Sequence, residues 1–181
     1  RKKPVEAKEI QFLPIEMVEH TMTGYERNLL YGSLESLFGA VVTPRLMARY
    51  FIGSSRHWKG ANIFWQIDIN GDVRQCKIML YDRSSGRRVK SGSIGLRYDD
   101  KLRTYIPDID NGDKICFAGK RLLKDQEANL QQCFFGEHLL SEYPDARVAI
   151  VESEKTAVIA SVYFPKLIWL APQTAAIWSG A

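Results

Sequence analysis

Residues 147–169, RVAIVESEKTAVIASVYFPKLIW, decide how the chain is to be read. The apolar run 147–151 follows the breaker Pro144-Asp145 and reads as a buried strand. Glu152-Ser153-Glu154 interrupts it with polar residues, and residues 155–162 then carry Ala157, Val158, Ile159, Ala160 and Val162 at near-helical spacing. A second apolar run, 167–170, follows Pro165. Strand, acidic turn, helix and strand in this order predict a β-α-β unit with two parallel strands. Ligands of α/β sheets collect at the carboxyl ends of the strands, and Glu152 stands at that end of the first one.

Working upstream, residues 136–143 (GEHLLSEY) read as a short helix and 131–135 as a brief strand. Residues 91–124 are rich in Gly, Asp and Asn, with short apolar groups at Tyr105-Ile106 and Ile115-Cys116-Phe117. They read as loop with one or two short strands. Further back, residues 63–69 alternate toward Asn70-Gly71, the strongest short hairpin signal, and 73–81 form the return strand. A second turn over 82–86 leads into residues 87–90, so an antiparallel meander is expected. In this alternation Arg74, Cys76, Ile78 and Leu80 share one face, and Val73, Gln75, Lys77, Met79 and Tyr81 the other.

The N-terminal part is helical. After a charged lead-in over residues 1–12, Pro14 and Glu16 suggest a helix start. Residues 25–38 place Leu29, Leu30, Leu34, Leu37 and Phe38 on one face and stop at Gly39. Thr43 is expected to cap a further helix that turns Leu46, Met47, Tyr50 and Phe51 inward. The fold class is therefore α+β: a helical N-terminal segment, an antiparallel β meander, and a C-terminal β-α-β unit. Residues 1–143 and 144–181 are expected to form two successive subdomains.

Composition excludes several classes. Apolar residues at 45% and charged residues at 25% argue against disorder. No apolar run approaches the about 18 residues of a membrane span, so no membrane partner is expected. Cys76, Cys116 and Cys133 lack metal-ligand spacing and point to a reducing, cytoplasmic compartment. The chain opens on Arg1 rather than Met, which suggests a piece of a longer protein.

Charge is unevenly placed. The net charge is +4, yet residues 45–103 hold thirteen Lys or Arg against five Asp. Arg56, Trp58 and Lys59 in the glycine-bounded loop 53–60, with Arg74 and Lys77 on the return strand, are candidates for a single-strand track. Arg87, Arg88 and Lys90 add charge to the same subdomain. Trp58 reads equally as core or as an exposed stacking platform, whereas Trp65 alternates with buried neighbours and is expected inside. His20 and His138 fall at apolar helical positions.

Residues 151–157 (VESEKTA) resemble the opening of a toprim domain, the metal-binding fold of primases, topoisomerases and related nucleases. Glu152 matches that family's strand-terminal glutamate, and Ser153 stands where its glycine is usual. Upstream, residues 63–73 (IFWQIDINGDV) with Lys77-Ile78-Met79, preceded by Arg49-Tyr50-Phe51-Ile52-Gly53, are similar to the basic subdomain of bacterial primases. With FFGEHLL at 134–140, the whole resembles primase-like proteins of mobile elements. The resemblance implies single-stranded DNA and replication proteins as partners, and Mg²⁺ or Mn²⁺ held partly by Glu152 in a complete toprim site. It also implies nucleotidyl transfer, with Glu152 as the catalytic carboxylate. The family's second acidic cluster is missing here, since no Asp or Glu follows Glu154, and no CxxC or CxxH spacing marks a zinc finger. Binding without catalysis, with no metal held, is the expectation for this chain.

Overall fold

The meander is built around two strands, β2 (Ala61–Ile67) and β3 (Val73–Met79), paired antiparallel. The structure is a computed structural model and describes residues 8–90, 95–108 and 114–172. At the hairpin end Gly71 takes φ +88°, a left-handed value that glycine adopts without a Cβ clash. The Asp68 side chain closes the turn, its Oδ1 accepting from the Asn70 and Asp72 amides at 2.9 and 3.0 Å. The register shifts here: Gln66 faces Gln75 but Ile67 faces Val73, leaving Arg74 as an extra residue. This bulge corrects the expected alternation, because it turns Val73 into the core and takes Arg74 out of the row of Cys76 and Ile78.

Strand β1 (Ile52–Ser55) pairs with β2. On the far side β3 pairs with β6 (Ile115–Phe117), giving the order β1-β2-β3-β6. Between them in sequence, β4 (Gly95–Asp99) and β5 (Thr104–Asp108) form a separate hairpin. The expected strand over 87–90 reduces to a Tyr81–Arg88 bridge, and that over 131–135 to a bridge between Phe135 and Ala171.

Helix α1 (Ile15–Thr21) is followed by a 3₁₀ turn (Tyr25–Arg27) and by α2 (Leu29–Arg49). Asn28 caps α2, its side chain accepting from the Tyr31 amide at 3.1 Å. Gly39 breaks α2 at φ 79° and ψ 170°, where the sequence expects a stop. The second half resumes directly, so Thr43 is a buried helical residue rather than a cap. Two short helices follow, α3 (Gly119–Leu123) and α4 (Leu139–Glu142).

At the C-terminal side, β7 (Arg147–Ile150), α5 (Glu154–Tyr163) and β8 (Leu167–Leu170) form the expected β-α-β unit. The strands run parallel, with Arg147 opposite Leu167 and Ile150 opposite Leu170. Among the described residues β7 pairs only with β8. Contrary to the reading of 147–151 as buried, Val148 and Ile150 are 46% and 44% exposed, whereas Ile168 and Leu170 on the same sheet face are covered. The core reaches over β8 and ends before β7.

Each face of the four-stranded sheet carries its own apolar core. Phe64 and Met79 pack with Tyr50, Phe135, Ala157, Val158, Ile168 and Leu170, so the meander, α2 and the β-α-β unit share one core across the 143/144 boundary. Ile63, Trp65, Cys76 and Ile78 face the other way, toward Leu13, Val18, Trp58 and Ala118.

Candidate nucleic-acid interface

Helix α5 is capped by Ser153, whose side chain accepts from the Thr156 amide at 3.3 Å. Such caps satisfy amides left open by the first turn. Glu152 lies one residue earlier, exposed, at the carboxyl end of β7. Glu154, the first residue of α5, is only 1% exposed and forms an ion pair with Lys77 of β3. Burial pushes the Glu154 carboxyl above its ordinary range, against the pull of the Lys77 ammonium. Lys77, expected on a nucleic-acid track, is thus placed inside. Its side chain is 7% exposed, because its register position opposite Phe64 points it at the β-α-β unit.

The next residue joins the two blocks that the sequence leaves apart. Lys155 Nζ donates to the Gly86 carbonyl at 2.5 Å and stands 5.6 Å from the Tyr81 ring centroid. Burial, and then the nearby Arg87 guanidinium, lower the Lys155 ammonium from its ordinary value. The turn over 82–86 is held by Asp82, which accepts from the Ser85 amide at 2.8 Å. It sets Arg87 beside Lys155 and brings the Arg88 charge to bear on Glu154. Arg87 and Lys90 are exposed. A basic turn is therefore docked on the amino-terminal end of α5, next to the strand end that carries Glu152.

A divalent hard cation takes six or more oxygen ligands, or keeps water in their place. Glu152 and the ion-paired Glu154 are the acidic side chains of this strand-to-helix turn, and no cluster of three His, Cys, Asp or Glu suited to a metal occurs among the described residues. The donor set does not fit a Mg²⁺ or Mn²⁺ site.

Arg74 is placed elsewhere. Its Nε lies 2.5 Å from Asp68 Oδ2, and its guanidinium sits 4.7 Å from the Phe12 ring centroid. Burial alone would raise the Asp68 carboxyl, but the Arg74 contact and the Asp72 and Asn70 amides outweigh it and hold the group below the usual carboxylate range. Arg74 is thus engaged in closing the hairpin turn.

The remaining expected residues, Arg56, Trp58 and Lys59, lie by the opposite sheet face. Trp58 is 5% exposed, and its Nε1 donates to Asp108 Oδ2 at 2.7 Å. Asp108 in turn pairs with buried Lys114 at 2.9 Å. Trp58 is therefore a core anchor for β5 and offers no stacking surface. Arg56 and Lys59 are exposed and line a cleft of about 1210 Å³ whose floor includes Ile63, Trp65 and Ile78. Its aromatic surface comes from the half-buried Tyr98 of β4 and Tyr105 of β5, with ring centroids 5.3 Å apart. Arg56 lies 5.8 Å from the Tyr98 centroid. Tyr105 belongs to an apolar pair visible in the sequence, whereas nothing in the sequence marks Tyr98.

Among the described residues no helix is long and apolar enough to cross a membrane. The model of the family described as Domain of unknown function (DUF6371) matches residues 28–177, and the chain belongs to this family. No curated protein and no solved structure matches it.

Proposed function

We propose that this member of the family is a primase-like nucleic-acid-binding module that holds single-stranded DNA at the carboxyl end of β7 and β8. Arg87, Lys90 and Lys155 contact phosphates there, and Glu152 stands beside them as a toprim-like carboxylate. The observation that carries this reading is the contact between Lys155 and the Gly86 carbonyl, which docks the basic turn on the head of α5. A helix amino terminus favours anions, and Lys155 keeps donors beyond the one it spends on Gly86.

Binding rather than catalysis is assigned to this chain, because Glu152 stands alone as an exposed acid in that turn and Glu154 is committed to Lys77. Phosphoryl transfer, with the Mg²⁺ or Mn²⁺ that a complete toprim site uses, is proposed only for a protein that supplies further carboxylates. A role in replication or on a mobile element, with replication proteins as partners and a cytoplasmic location, completes the proposal.

The test is fluorescence anisotropy with a labelled single-stranded oligonucleotide at low salt. Arg87→Gln combined with Lys90→Gln changes two exposed side chains and is expected to weaken binding and reduce the salt slope by about 0.7 per lost phosphate contact. Affinity and slope equal to wild type would refute the assignment of this end.

A further inference from the structure

The cleft on the other sheet face has a construction of its own. Its volume, about 1210 Å³, exceeds the roughly 300–1,000 Å³ of pockets that take one drug-sized ligand. Arg27, Lys59 and Arg121 bring cations to it from the 3₁₀ turn, the β1–β2 loop and α3, while Tyr98 and Tyr105 supply ring surface. The hairpin bearing the rings is fixed in place: the Lys59 amide donates to the Leu96 carbonyl at 2.7 Å and the Tyr98 amide to the His57 carbonyl at 3.0 Å. The buried Trp58–Asp108 bond ties down β5.

His57 lies in the same wall, its ring against Trp58 with centroids 4.3 Å apart. Arg121 Nη1 is 3.1 Å from His57 Nδ1. A guanidinium only donates, so Nδ1 accepts and the proton of the neutral ring sits on Nε2. Burial, then Arg121 of α3 and Arg97 of β4, bring the imidazole down to about 4, against the opposing pull of Asp108 on β5 and Asp100 after β4. His57 is a fixed neutral donor. Among the described residues that line the cleft, Glu26 is paired with Arg27 at 3.1 Å, and Asp100 is an acceptor suited to a base amino group.

Cations spaced round aromatic rings that line a groove are the recurring arrangement for single strands, which have an unstacked π-face at every base and a charge at every linkage. We infer that this cleft is a second binding site, taking a short stretch of single-stranded nucleic acid with phosphates on Arg27, Lys59 and Arg121 and bases against Tyr98 and Tyr105. The inference shares the nucleic-acid reading of the α5 end but none of its residues.

The test measures anisotropy with matched DNA and RNA oligonucleotides, so that the two arms identify the sugar preferred. Tyr98→Ala and Tyr105→Ala are each expected to weaken binding about tenfold, in the range of losing one stacked base. Tyr98→Phe keeps the ring and should retain affinity, and Lys59→Gln, at an exposed position, should weaken binding with unchanged thermal unfolding. Wild-type affinity in Tyr98→Ala and Lys59→Gln together would overturn the cleft. Should only Arg87→Gln with Lys90→Gln lose binding, the cleft falls and the α5 end stands. Should only the cleft variants lose it, the reverse holds. Absence of binding by the wild-type chain to either oligonucleotide removes both.

Discussion

The ion pair between Lys77 and Glu154 links the meander to the β-α-β unit, and a double-mutant cycle measures that link. Both side chains are almost fully withdrawn from water, at 7% and 1% exposure. Removing one partner strands the other charge in a low-dielectric interior, a loss of about 3–5 kcal/mol in comparable buried pairs. For a domain of this size each kcal/mol moves Tm by about 2–4 °C, so Glu154→Leu or Lys77→Met alone should lower Tm by roughly 6–20 °C. The double variant places two apolar side chains against Phe64 and Met79 and should return close to wild type. Urea unfolding followed by tryptophan fluorescence reads all four corners of the cycle. The pH dependence carries a sign. Glu154 is already raised by burial, and Lys77→Met removes the ammonium that opposes the rise. A carboxyl whose folded value lies above its unfolded one stabilises the fold at low pH and loses that contribution as pH rises through the folded value. The deficit of Lys77→Met relative to wild type should therefore shrink as pH falls toward 4. Additive single effects, with the double variant as unstable as their sum, would refute the idea that the two segments share a buried charge pair and a core.

Two other predictions follow from single groups. The His57 imidazole, brought down to about 4, stays neutral in the fold while the unfolded chain takes up a proton below about 6.5. Stability should thus fall as pH drops from 6.5 to 4, and His57→Gln should flatten that part of the profile. Glu152 is exposed with no structural contact of its own among those described. Glu152→Gln should accordingly leave Tm unchanged, as measured by thermal unfolding.

Much of the architecture was legible in local signals. Asn70-Gly71 marks the hairpin, Gly39 breaks α2, and the polar turn at 152–154 separates β7 from α5, because each of these depends on a few adjacent residues. What resisted reading depends on distant partners. A single bulge at Arg74 reverses which side chains reach the core, and nothing in the alternation announces it. Lys77 looks like a surface cation until Glu154 is set against it, and Trp58 looks like a stacking platform until Asp108, fifty residues away in sequence, takes its N–H. Inward-pointing charge in an otherwise apolar strand was the available hint for Lys77, since such a group requires a partner. The burial predicted for 147–151 fails at Val148 and Ile150 because an apolar run does not say where the core ends. The cleft draws its walls from Arg27 to Arg121, across segments that carry no common motif.

Binding to a polyanion is the claim on which the functional account stands, and its salt dependence is the most direct measure. For single strands, log K falls with log salt at about 0.7 per neutralised phosphate. Phosphates neutralised by Arg87, Lys90 and Lys155 then predict a slope of about −2 for wild-type protein and a single-stranded oligonucleotide. A slope near zero, or no binding in low-salt buffer, would contradict the account.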